Sequence, residues 1–456
     1  MQVIQQIISF ISDILWGDAL GFPLLVPLLA GVGIFLTCRL RFLSLTKLPT
    51  AFKLLWQGRA TNTDDAGDIP PFQALMTALS ATIGTGNIAG VATAIYLGGP
   101  GAIFWMWIIA LFGMATKYAE AVLAVTFRET DELGNYVGGP MYYIKNGLQQ
   151  HWHWLGASFA LFGMFAGFGI GATVQSNTVA TQLQSAFTFS VPTWVTGLLL
   201  ATLVGIVIIG GIRRIAEVAA RIVPFMGVAY FFCALLIIVL HIGEVPAAIT
   251  LIVSDAFTGS AASGGFAGAS VWMAIRMGAA RGIFSNEAGL GSAPIAHAAA
   301  RTSDPVKQGM IAMLGTFIDT IIICTMTGLA IILTGVWTSG ANGAPMSSLA
   351  FSQTLGVFGE YIITFGLCIF AFTTMLGWSY YGERCGEYLF GVRIIKPFRA
   401  AWVIAIFLGA VLQLELVWLL ADVLNGLMAL PNLLALILLS PVIVKVTGDY
   451  LREHPA

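Results

Sequence analysis

Two clusters of glycine and small polar residues interrupt otherwise apolar segments of the chain. The first reads Thr-Ile-Gly-Thr-Gly-Asn-Ile-Ala-Gly at 82–90, and the second reads Phe-Ser-Asn-Glu-Ala-Gly-Leu-Gly-Ser-Ala-Pro at 284–294. Glycine is costly inside a helix, and Ser, Thr and Asn side chains compete for backbone hydrogen bonds. Each cluster therefore predicts an unwound segment, near 84–87 and near 285–291.

The first cluster has the chemistry to hold an anion. A half-helix that begins near Ile88, with Asn87 as its N-cap, would point free N–H groups and its positive dipole end at a ligand. That arrangement suits a carboxylate. Close helix packing through small residues is the structural alternative. The letters also fit a dinucleotide fingerprint, but no strand precedes them.

The amino-acid composition indicates which class of protein contains these two clusters. The chain has 456 residues, of which 58% are hydrophobic and 9% charged, and its mean hydropathy is +0.88. Soluble domains carry about 25% charged residues. A water-soluble enzyme is therefore excluded, and an all-α polytopic membrane protein is predicted. The net charge of −1 offers no basic excess for nucleic acid.

Eleven apolar spans follow from the hydrophobic pattern, most of them about 20 residues long or longer, which is the length a helix needs to cross a bilayer. They lie near 20–38, 71–98, 100–127, 153–178, 190–211, 214–241, 267–300, 307–335, 357–382, 398–414 and 415–444. Four short amphipathic stretches, at 1–16, 42–57, 140–150 and 346–356, are expected on the membrane surface or as non-spanning helices.

The basic residues orient these spans. With the N-terminus outside, 18 of the 21 Lys and Arg residues fall in inside segments and the other three lie within spans. The positive-inside rule therefore predicts an N-out, C-in topology. No hydrophilic segment is long enough for a nucleotide-binding domain, which favours transport driven by an ion gradient.

The two breaks divide the chain into related halves. Each break begins a block of five spans, and an odd number of spans per block means that the blocks have opposite orientations. Corresponding interrupted helices in inverted repeats indicate a transporter binding site at the bilayer midplane. We expect an N-terminal part at 1–66, a first repeat at 67–242, an extracellular linker at 243–266 and a second repeat with a cytoplasmic tail at 267–456.

The chain resembles the alanine-or-glycine:cation symporter family over nearly its whole length. The resemblance rests on the stretch at 82–90, on Gly-Met-Ala-Thr-Lys-Tyr-Ala-Glu-Ala at 113–121, and on Gly-Ile-Phe-Ser-Asn-Glu-Ala-Gly-Leu-Gly-Ser-Ala-Pro at 282–294. It implies a secondary transporter with the leucine-transporter fold, made of two five-helix inverted repeats with two broken helices. It also implies import of alanine or glycine with Na+, or sometimes H+.

The resemblance also implies a set of site residues. The amino-acid substrate would be bound at the two breaks by Gly84, Thr85, Gly86, Asn87, Phe284, Ser285 and Gly289. The sodium ion would bind the carbonyls of Ser80 and Ile83 and the hydroxyls of Thr373 and Thr374. Adjacent threonines can instead bond back to their own helix, so this alternative stays open.

Helical spacing adds three candidates to the substrate pocket. Trp378 lies one turn beyond Thr374 and would wall the pocket, unless it belongs to an interfacial belt. Glycines recur every four residues before Gln175, at 163, 167 and 171, which places Gln175 on an interior seam where it would bond the substrate amine. Phe168, one step off this stripe, would line the side-chain pocket, with core packing as the alternative.

Charged residues inside spans are candidates for coupling or gating. Lys117 and Glu120 are three residues apart and are expected to pair, as a structural salt bridge or a gate. Arg276 and Arg281 precede the second break and would form an outer gate with a carboxylate, or snorkel. Glu287, within the break, would hold the unwound backbone or serve as an ion or proton partner. Asp319 and Asp422 are interpreted as isolated carboxylates without a specific partner, and a role as a second cation ligand is the alternative for either.

The sequence thus predicts a Na+-coupled symporter of a small amino acid in a bacterial inner membrane. A H+-coupled carrier of the same or another small solute is the alternative, ahead of a membrane enzyme or a channel. The partners are the amino acid and the lipid bilayer. A monomer would suffice for transport, and the oligomeric state is left open.

Overall fold

The structure is a computed structural model that describes residues 2–17, 19, 22–59, 65–186, 191–258, 271–412 and 415–454. Apart from one short antiparallel hairpin, β1 (Glu129–Thr130) with β2 (Tyr136–Val137), the described elements are helices. The first half holds α1 (Gln2–Leu15), α2 (Leu25–Arg39), α3 (Leu43–Thr46), α4 (Leu48–Gln57), α5 (Pro71–Thr82), α6 (Val91–Gly98), α7 (Gly101–Thr126), α8 (Pro140–Gly147), α9 (His153–Ala166), α10 (Val174–Ala186), α11 (Thr193–Ile208) and α12 (Gly211–Leu240).

The second half continues the helical pattern. It holds α13 (Val245–Thr258), α14 (Val271–Asn286), α15 (Ala293–Ala298), α16 (Pro305–Thr316), α17 (Thr325–Leu333), α18 (Ala344–Leu355), α19 (Val357–Phe390), α20 (Ile395–Val411), α21 (Glu415–Leu438) and α22 (Ser440–Glu453). Among the described residues, three π-helical segments, Gly86–Gly90, Gly167–Thr173 and Phe317–Cys324, lead into α6, α10 and α17.

The helices reproduce the predicted spans. Within the described residues, seven helices are long and apolar enough to cross a membrane, and the bent pair α5–α6 makes an eighth. The shorter apolar helices α2 and α11 take the places of spans 1 and 5, and α14 with α15 takes that of span 7. Residues 20–21, 190, 267–270 and 413–414 of the predicted spans lie outside the described residues.

The first predicted break is present, but its polar residue acts differently than expected. Helix α5 ends at Thr82, Ile83 is extended, and the chain re-enters a helix through the π-helical segment, with a bend of 53°. Asn87 does not cap the second half-helix. Its Oδ1 instead accepts a hydrogen bond from the N–H of Gly84 at 2.9 Å, so the side chain braces the turn from within the helix.

The second break lies at residues 287–292, between α14 and α15. Glu287, Gly289 and Gly291 all have positive φ, at 57°, 88° and 83°. This conformation is cheap for glycine and costly for glutamate, so surrounding contacts must hold Glu287 in place. Pro294 stands in the first turn of α15, where its missing N–H costs nothing.

The connecting segments that were predicted inside meet at one end of the molecule. Arg128, after α7, donates hydrogen bonds to four carbonyls, those of Ala66 before α5, Ala298 at the end of α15, and Ala300 and Thr302 after α15. Asp68 lies 3.8 Å from Arg213 at the α11–α12 turn. Segments that follow every second span therefore lie on the same side of the molecule. This is expected when successive helices cross a membrane in alternating directions.

Two of the four amphipathic stretches do not rest on the membrane surface. In α8, residues 140–144 are buried, and α8 packs on α9. In α18, Met346, Ser347, Ala350 and Phe351 are buried, and the Ser347 hydroxyl donates to the carbonyl of Ile88 at 2.9 Å. Helix α18 therefore packs on the first broken helix.

Part of the predicted linker is helical. Helix α13 covers most of the described part of 243–266, and residues 259–266 lie outside the described residues. The Asp255 carboxylate accepts a hydrogen bond from the N–H of Gly101 at 2.8 Å, at the start of α7. This contact satisfies an otherwise free backbone donor and ties α13 to α7.

Candidate substrate and ion site

The two breaks face each other in the buried centre of the molecule. A Cβ atom added to Gly86 would lie 3.4 Å from the Cα of Ser285 and 3.5 Å from Cδ1 of Phe284. Thr85 and Asn87, beside Gly86, are buried as well. The structure therefore brings together the central residues of both sequence clusters.

Asp319 joins the two breaks. Its Oδ1 accepts a hydrogen bond from Asn87 Nδ2 at 2.7 Å, and its Oδ2 accepts from the hydroxyls of Ser285 at 2.9 Å and Thr320 at 2.8 Å. Asn286 Nδ2 in turn donates to the Thr320 hydroxyl at 3.0 Å. The expectation that Asp319 is an isolated carboxylate was wrong, because its partners come from distant segments. A carboxylate inside a membrane span is itself a signal of a functional site, but sequence spacing cannot identify its partners in distant segments.

The end of α5 touches α19 at two glycines. A Cβ on Gly84 would lie 2.5 Å from the Thr374 hydroxyl, and a Cβ on Gly377 would lie 2.8 Å from the Ser80 hydroxyl. Thr374 Oγ1 is 3.5 Å from the carbonyl oxygen of Ile83, the extended residue directly after α5. The absent side chains permit this close approach, so carbonyl and hydroxyl oxygens from two helices converge.

The two neighbouring threonines make different hydrogen bonds, one within their own helix and one to the first break. Thr373 donates to carbonyls of its own helix, those of Phe370 at 2.9 Å and Ile369 at 3.2 Å. Thr374 instead reaches across to the break. A hydroxyl that donates to a carbonyl keeps lone pairs for a cation, so both oxygens remain possible ion ligands.

Gln175 and Trp378 lie on the seam between the fourth span and α19. A Cβ on Gly171, one turn before Gln175, would come within 2.2 Å of the Cβ of Trp378. Trp378 is only 1% exposed, so it does not belong to an interfacial belt. Gln175 Nε2 donates to the carbonyl of Ile170 at 3.1 Å, and its buried Oε1 has no hydrogen-bond partner among the described residues.

Two predicted substrate residues lie away from the facing breaks. Phe168 packs against Phe398 and Trp402 of α20, with ring centroids 5.0 and 5.3 Å away. Core packing, the alternative, therefore describes Phe168. Gly289 faces α2 and α21, since a Cβ there would lie 2.5 Å from Leu29 and 3.2 Å from Leu433.

Lys117 and Glu120 do not form the expected pair. Glu120 Oε1 accepts hydrogen bonds from Asn432 Nδ2 at 2.7 Å and from the N–H of Gly291 at 3.2 Å. Asn432 Nδ2 also donates to the carbonyl of Gly289 at 2.9 Å. Glu120 and Asn432 therefore hold the unwound second break. The buried Lys117 Nζ has no hydrogen-bond partner within the described ranges, although its charge interacts with Glu120, Glu287 and Asp319.

Glu287 supports the same break from within it. Its Oε2 accepts a hydrogen bond from the Ser292 hydroxyl at 2.5 Å, which closes the loop that precedes α15. This contact provides a physical reason for its positive φ.

The two arginines before the second break lie on the side of the molecule opposite the basic connecting segments. Arg276 Nε donates to the carbonyl of Trp16 at 2.9 Å, and Trp16 Nε1 donates to the carbonyl of Asp422 at 3.0 Å. The charge of Arg281 interacts with that of Asp422, and its guanidinium lies 5.8 Å from the Phe284 ring. Asp422 is thus the carboxylate whose charge interacts with Arg281, one of the two predicted gate residues.

A cluster of ion pairs, which spacing did not predict, lies on the basic side. Arg384 lies 3.2 Å from Asp131, 2.9 Å from Glu383 and 2.6 Å from Glu387, and Arg399 lies 2.5 Å from Glu383. Burial alone would raise the pKa of the Asp131 carboxyl, but hydrogen bonds, chiefly from Asn135, hold the pKa below its usual value. We call these five charged residues the inner cluster. It fastens the β1–β2 hairpin to α19 and α20.

Comparisons with known proteins agree with this architecture. The model of the sodium:alanine symporter family matches residues 1–456. An uncharacterized transporter of Haemophilus influenzae is 52% identical, covering 99% of this chain and 97% of its own length. The sodium/alanine symporter AgcS of Methanococcus maripaludis is 49% identical, with 99% and 98% covered. The probable sodium/glutamine symporter GlnT of Bacillus subtilis is 40% identical, with 100% and 92% covered.

A solved structure shows the same fold. The crystal structure of MhsT in complex with L-phenylalanine matches with a TM-score of 0.57 at 14% sequence identity, covering 84% of this chain and 98% of that one. This similarity confirms the predicted leucine-transporter-like fold. At this low identity it supports no inference beyond the fold.

Proposed function

Because this chain belongs to the sodium:alanine symporter family, we propose that it is a secondary active symporter that imports alanine or glycine together with Na+. The observation that carries the proposal is the meeting of two broken helices at a buried centre, with Gly86 against Ser285. Paired interrupted helices at a repeat interface form substrate and ion sites in secondary transporters.

The substrate binds between the breaks in this proposal. Its carboxylate lies at the positive end of the half-helix that begins at Gly86, near Thr85 and Asn87. Its ammonium donates to Gln175 Oε1, which is buried and has no other partner among the described residues. An unsatisfied buried acceptor is costly, so a donor from the substrate contributes more there than it would in water.

Size selection follows from the walls of the site. Phe284 approaches Gly86, and Trp378 packs tightly on Gly171. These two aromatic residues leave little room near the substrate Cα, which favours a hydrogen or a methyl group as the side chain. The relatives' names include both alanine and glutamine, so glutamine is the comparison that tests this selection.

Sodium binds where α5 ends, with the carbonyls of Ser80 and Ile83 and the hydroxyls of Thr373 and Thr374 as ligands. The carbonyl end of a half-helix is the negative end of its dipole, which favours a cation. Because one ligand pair belongs to the first broken helix and the other to α19, the ion would stabilise the state in which these helices approach. Substrate and ion thereby shift the same conformational equilibrium.

The proposed setting is a bacterial inner membrane. The positive-inside rule places the N-terminus outside and the C-terminus in the cytoplasm. The inner cluster then closes the cytoplasmic side, and Arg276 and Arg281 face outward. One chain contains both breaks and the ion ligands, so a monomer suffices for transport.

The test is uptake of labelled alanine by proteoliposomes that contain only this protein, under an inward Na+ gradient or an inward H+ gradient. Unlabelled glycine and glutamine serve as competitors. We expect accumulation only with the Na+ gradient, competition by glycine, and weak competition by glutamine. Thr374→Ala should lose Na+-driven uptake, whereas Thr202→Ala, at an exposed position on α11, should keep it.

The other results are equally informative. Accumulation only with the H+ gradient would reject sodium coupling and direct attention to Glu287 as the proton partner. No uptake of alanine or glycine under either gradient would reject the substrate assignment while leaving the fold intact.

A further inference from the structure

An apolar groove opens on the outer surface of the helix bundle, between α5, α12 and the π-helical segment before α17. Its volume is about 350 Å³. Its described lining residues are Phe72, Met76 and Leu79 of α5, Ile83 directly after α5, Val223, Pro224, Gly227, Val228 and Phe231 of α12, and Ile318, Ile322 and Ile323, with Arg59 as the single charged residue among them. We call it the α5–α12 groove. It is distinct from the substrate site on the other side of α5.

The shape of the groove suits one hydrocarbon chain. The α5 residues that line it recur every three or four positions from Phe72 to Ile83, so they form one stripe along that helix. At 1.5 Å per residue this stripe is roughly 16 Å long, about half of the ~30 Å hydrocarbon core. On the opposite wall, a Cβ added to Gly227 would meet nothing within 4 Å, so the absent side chain leaves open space.

A cation stands at the end of the groove that faces the basic side. The Arg59 guanidinium lies 4.1 Å from the Trp56 ring centroid and 4.9 Å from that of Phe72, and these cation–π contacts orient it. It forms no ion pair with a described carboxylate. The segment 39–59 carries five basic residues and no acidic one. Arg59 is therefore a positively charged, oriented group beside the α5–α12 groove, and no described carboxylate pairs with it.

We propose that the α5–α12 groove binds an anionic phospholipid from the leaflet on the basic side, cytoplasmic in the proposed orientation. One acyl chain lies along Phe72, Met76 and Leu79, and the headgroup phosphate pairs with Arg59. An arginine fork suits a phosphate, and basic residues near a membrane surface attract anionic lipids. This inference concerns lipid binding and does not depend on the substrate or on the coupling ion.

The groove ends behind the ion site. The side chain of Ile83 lines the groove, whereas its carbonyl faces Thr374. A bound acyl chain therefore packs against the residue at which the first broken helix unwinds. The lipid is placed to support that turn from the membrane side.

Native mass spectrometry of the purified full-length protein tests the proposal. The protein is incubated with phosphatidylglycerol or with phosphatidylethanolamine of the same acyl chains. We expect the unmodified protein to retain the anionic lipid in preference, by about fivefold, which corresponds to about 1 kcal/mol for one basic residue near the surface. Arg59→Gln should lose this preference while still binding both lipids.

Two matched pairs of variants test the groove itself. Gly227→Leu fills it and should bind less of either lipid, whereas Gly31→Leu, at another helix glycine with open space around it, should not. Should Gly227→Leu fail to fold, Val228→Trp against Val239→Trp gives the same comparison on α12, at 55% and 53% exposure. A preference that survives Arg59→Gln, or binding that survives the filled groove, would overturn the proposal.

Discussion

Thr373 and Thr374 show how neighbouring residues of one type acquire different hydrogen-bond partners. Thr373 bonds back to its own helix, and Thr374 reaches the carbonyl of Ile83. The difference depends on Gly84, because only a residue without a side chain leaves space for the Thr374 hydroxyl. The sequence predicted both threonines as sodium ligands. The register of α19 against α5 decides which of them reaches the carbonyl of Ile83.

Replacing Gly84 with alanine should weaken ion binding specifically. The new Cβ would lie 2.5 Å from Thr374 Oγ1, and threonine has few rotamers to choose from, so the hydroxyl must turn away from Ile83. We expect the Na+ concentration for half-maximal alanine uptake to rise about tenfold or more, as for a typical overpacked site. In Gly90→Ala, on the same broken helix, the new Cβ meets nothing within 4 Å, and that concentration should stay unchanged.

Asp319 should couple energetically to Ser285, because the two side chains share a hydrogen bond. A double-mutant cycle of Ser285→Ala and Asp319→Asn, measured as alanine affinity, should give an interaction energy of about 0.5–3 kcal/mol. The pair Ser285→Ala and Asp422→Asn, whose members share no hydrogen bond, should be additive. Additivity in the first cycle would mean that Asp319 does not position the second break.

At the scale of helices, the two breaks arise by different means. The first is a turn at an extended Ile83 followed by π-helical backbone, braced by Asn87. The second has positive φ values at Glu287, Gly289 and Gly291, and Glu120 and Asn432 hold it from distant segments. Both were predictable from local composition, because glycine and small polar residues weaken a helix wherever they cluster. The partners that hold the second break are long-range and were not.

The inner cluster should contribute strongly to stability. Arg384 is 6% exposed and faces three carboxylates, so Arg384→Met leaves buried charges unpaired and should lower the free energy of unfolding by about 3–5 kcal/mol. Arg452→Met removes an exposed arginine, 79% exposed, from a pair with Asp449 and should cost about 0–1 kcal/mol. Denaturant unfolding of the two purified variants in one detergent makes the comparison. Equal losses would show that the hairpin is not fastened by Arg384.

At the scale of the whole molecule, contacts among distant loops establish which segments share a side. Arg128 links the end of α7 to the segment before α5 and to the end of α15 and the segment that follows it. The opposite side is joined through Asp255 with Gly101 and through Arg276 with Trp16. These contacts agree with the eleven-span layout. The direction in which the molecule sits in the membrane rests on the charge asymmetry.

Cysteine labelling tests that direction. Leu133 on the β1–β2 hairpin and Ile242 after α12 are equally exposed, at 63% and 64%, and lie at opposite ends of the proposed layout. In a background without the native cysteines, a membrane-impermeant maleimide applied to intact cells should label Ile242→Cys and leave Leu133→Cys unlabelled until the cells are lysed. The reverse pattern would mean that the chain is inserted the other way.

By itself, the sequence determined the membrane class, the helical spans, the two breaks and the family. Hydrophobic length, charge asymmetry and local helix weakness are properties of short segments and need no knowledge of their neighbours. Only the tertiary structure decided which polar residues meet. It gave Asp319 hydrogen-bond partners in both breaks, left Lys117 without a hydrogen bond to Glu120, and placed Phe168 against α20. These outcomes depend on helix rotation and register, which are set by packing between segments far apart in the chain.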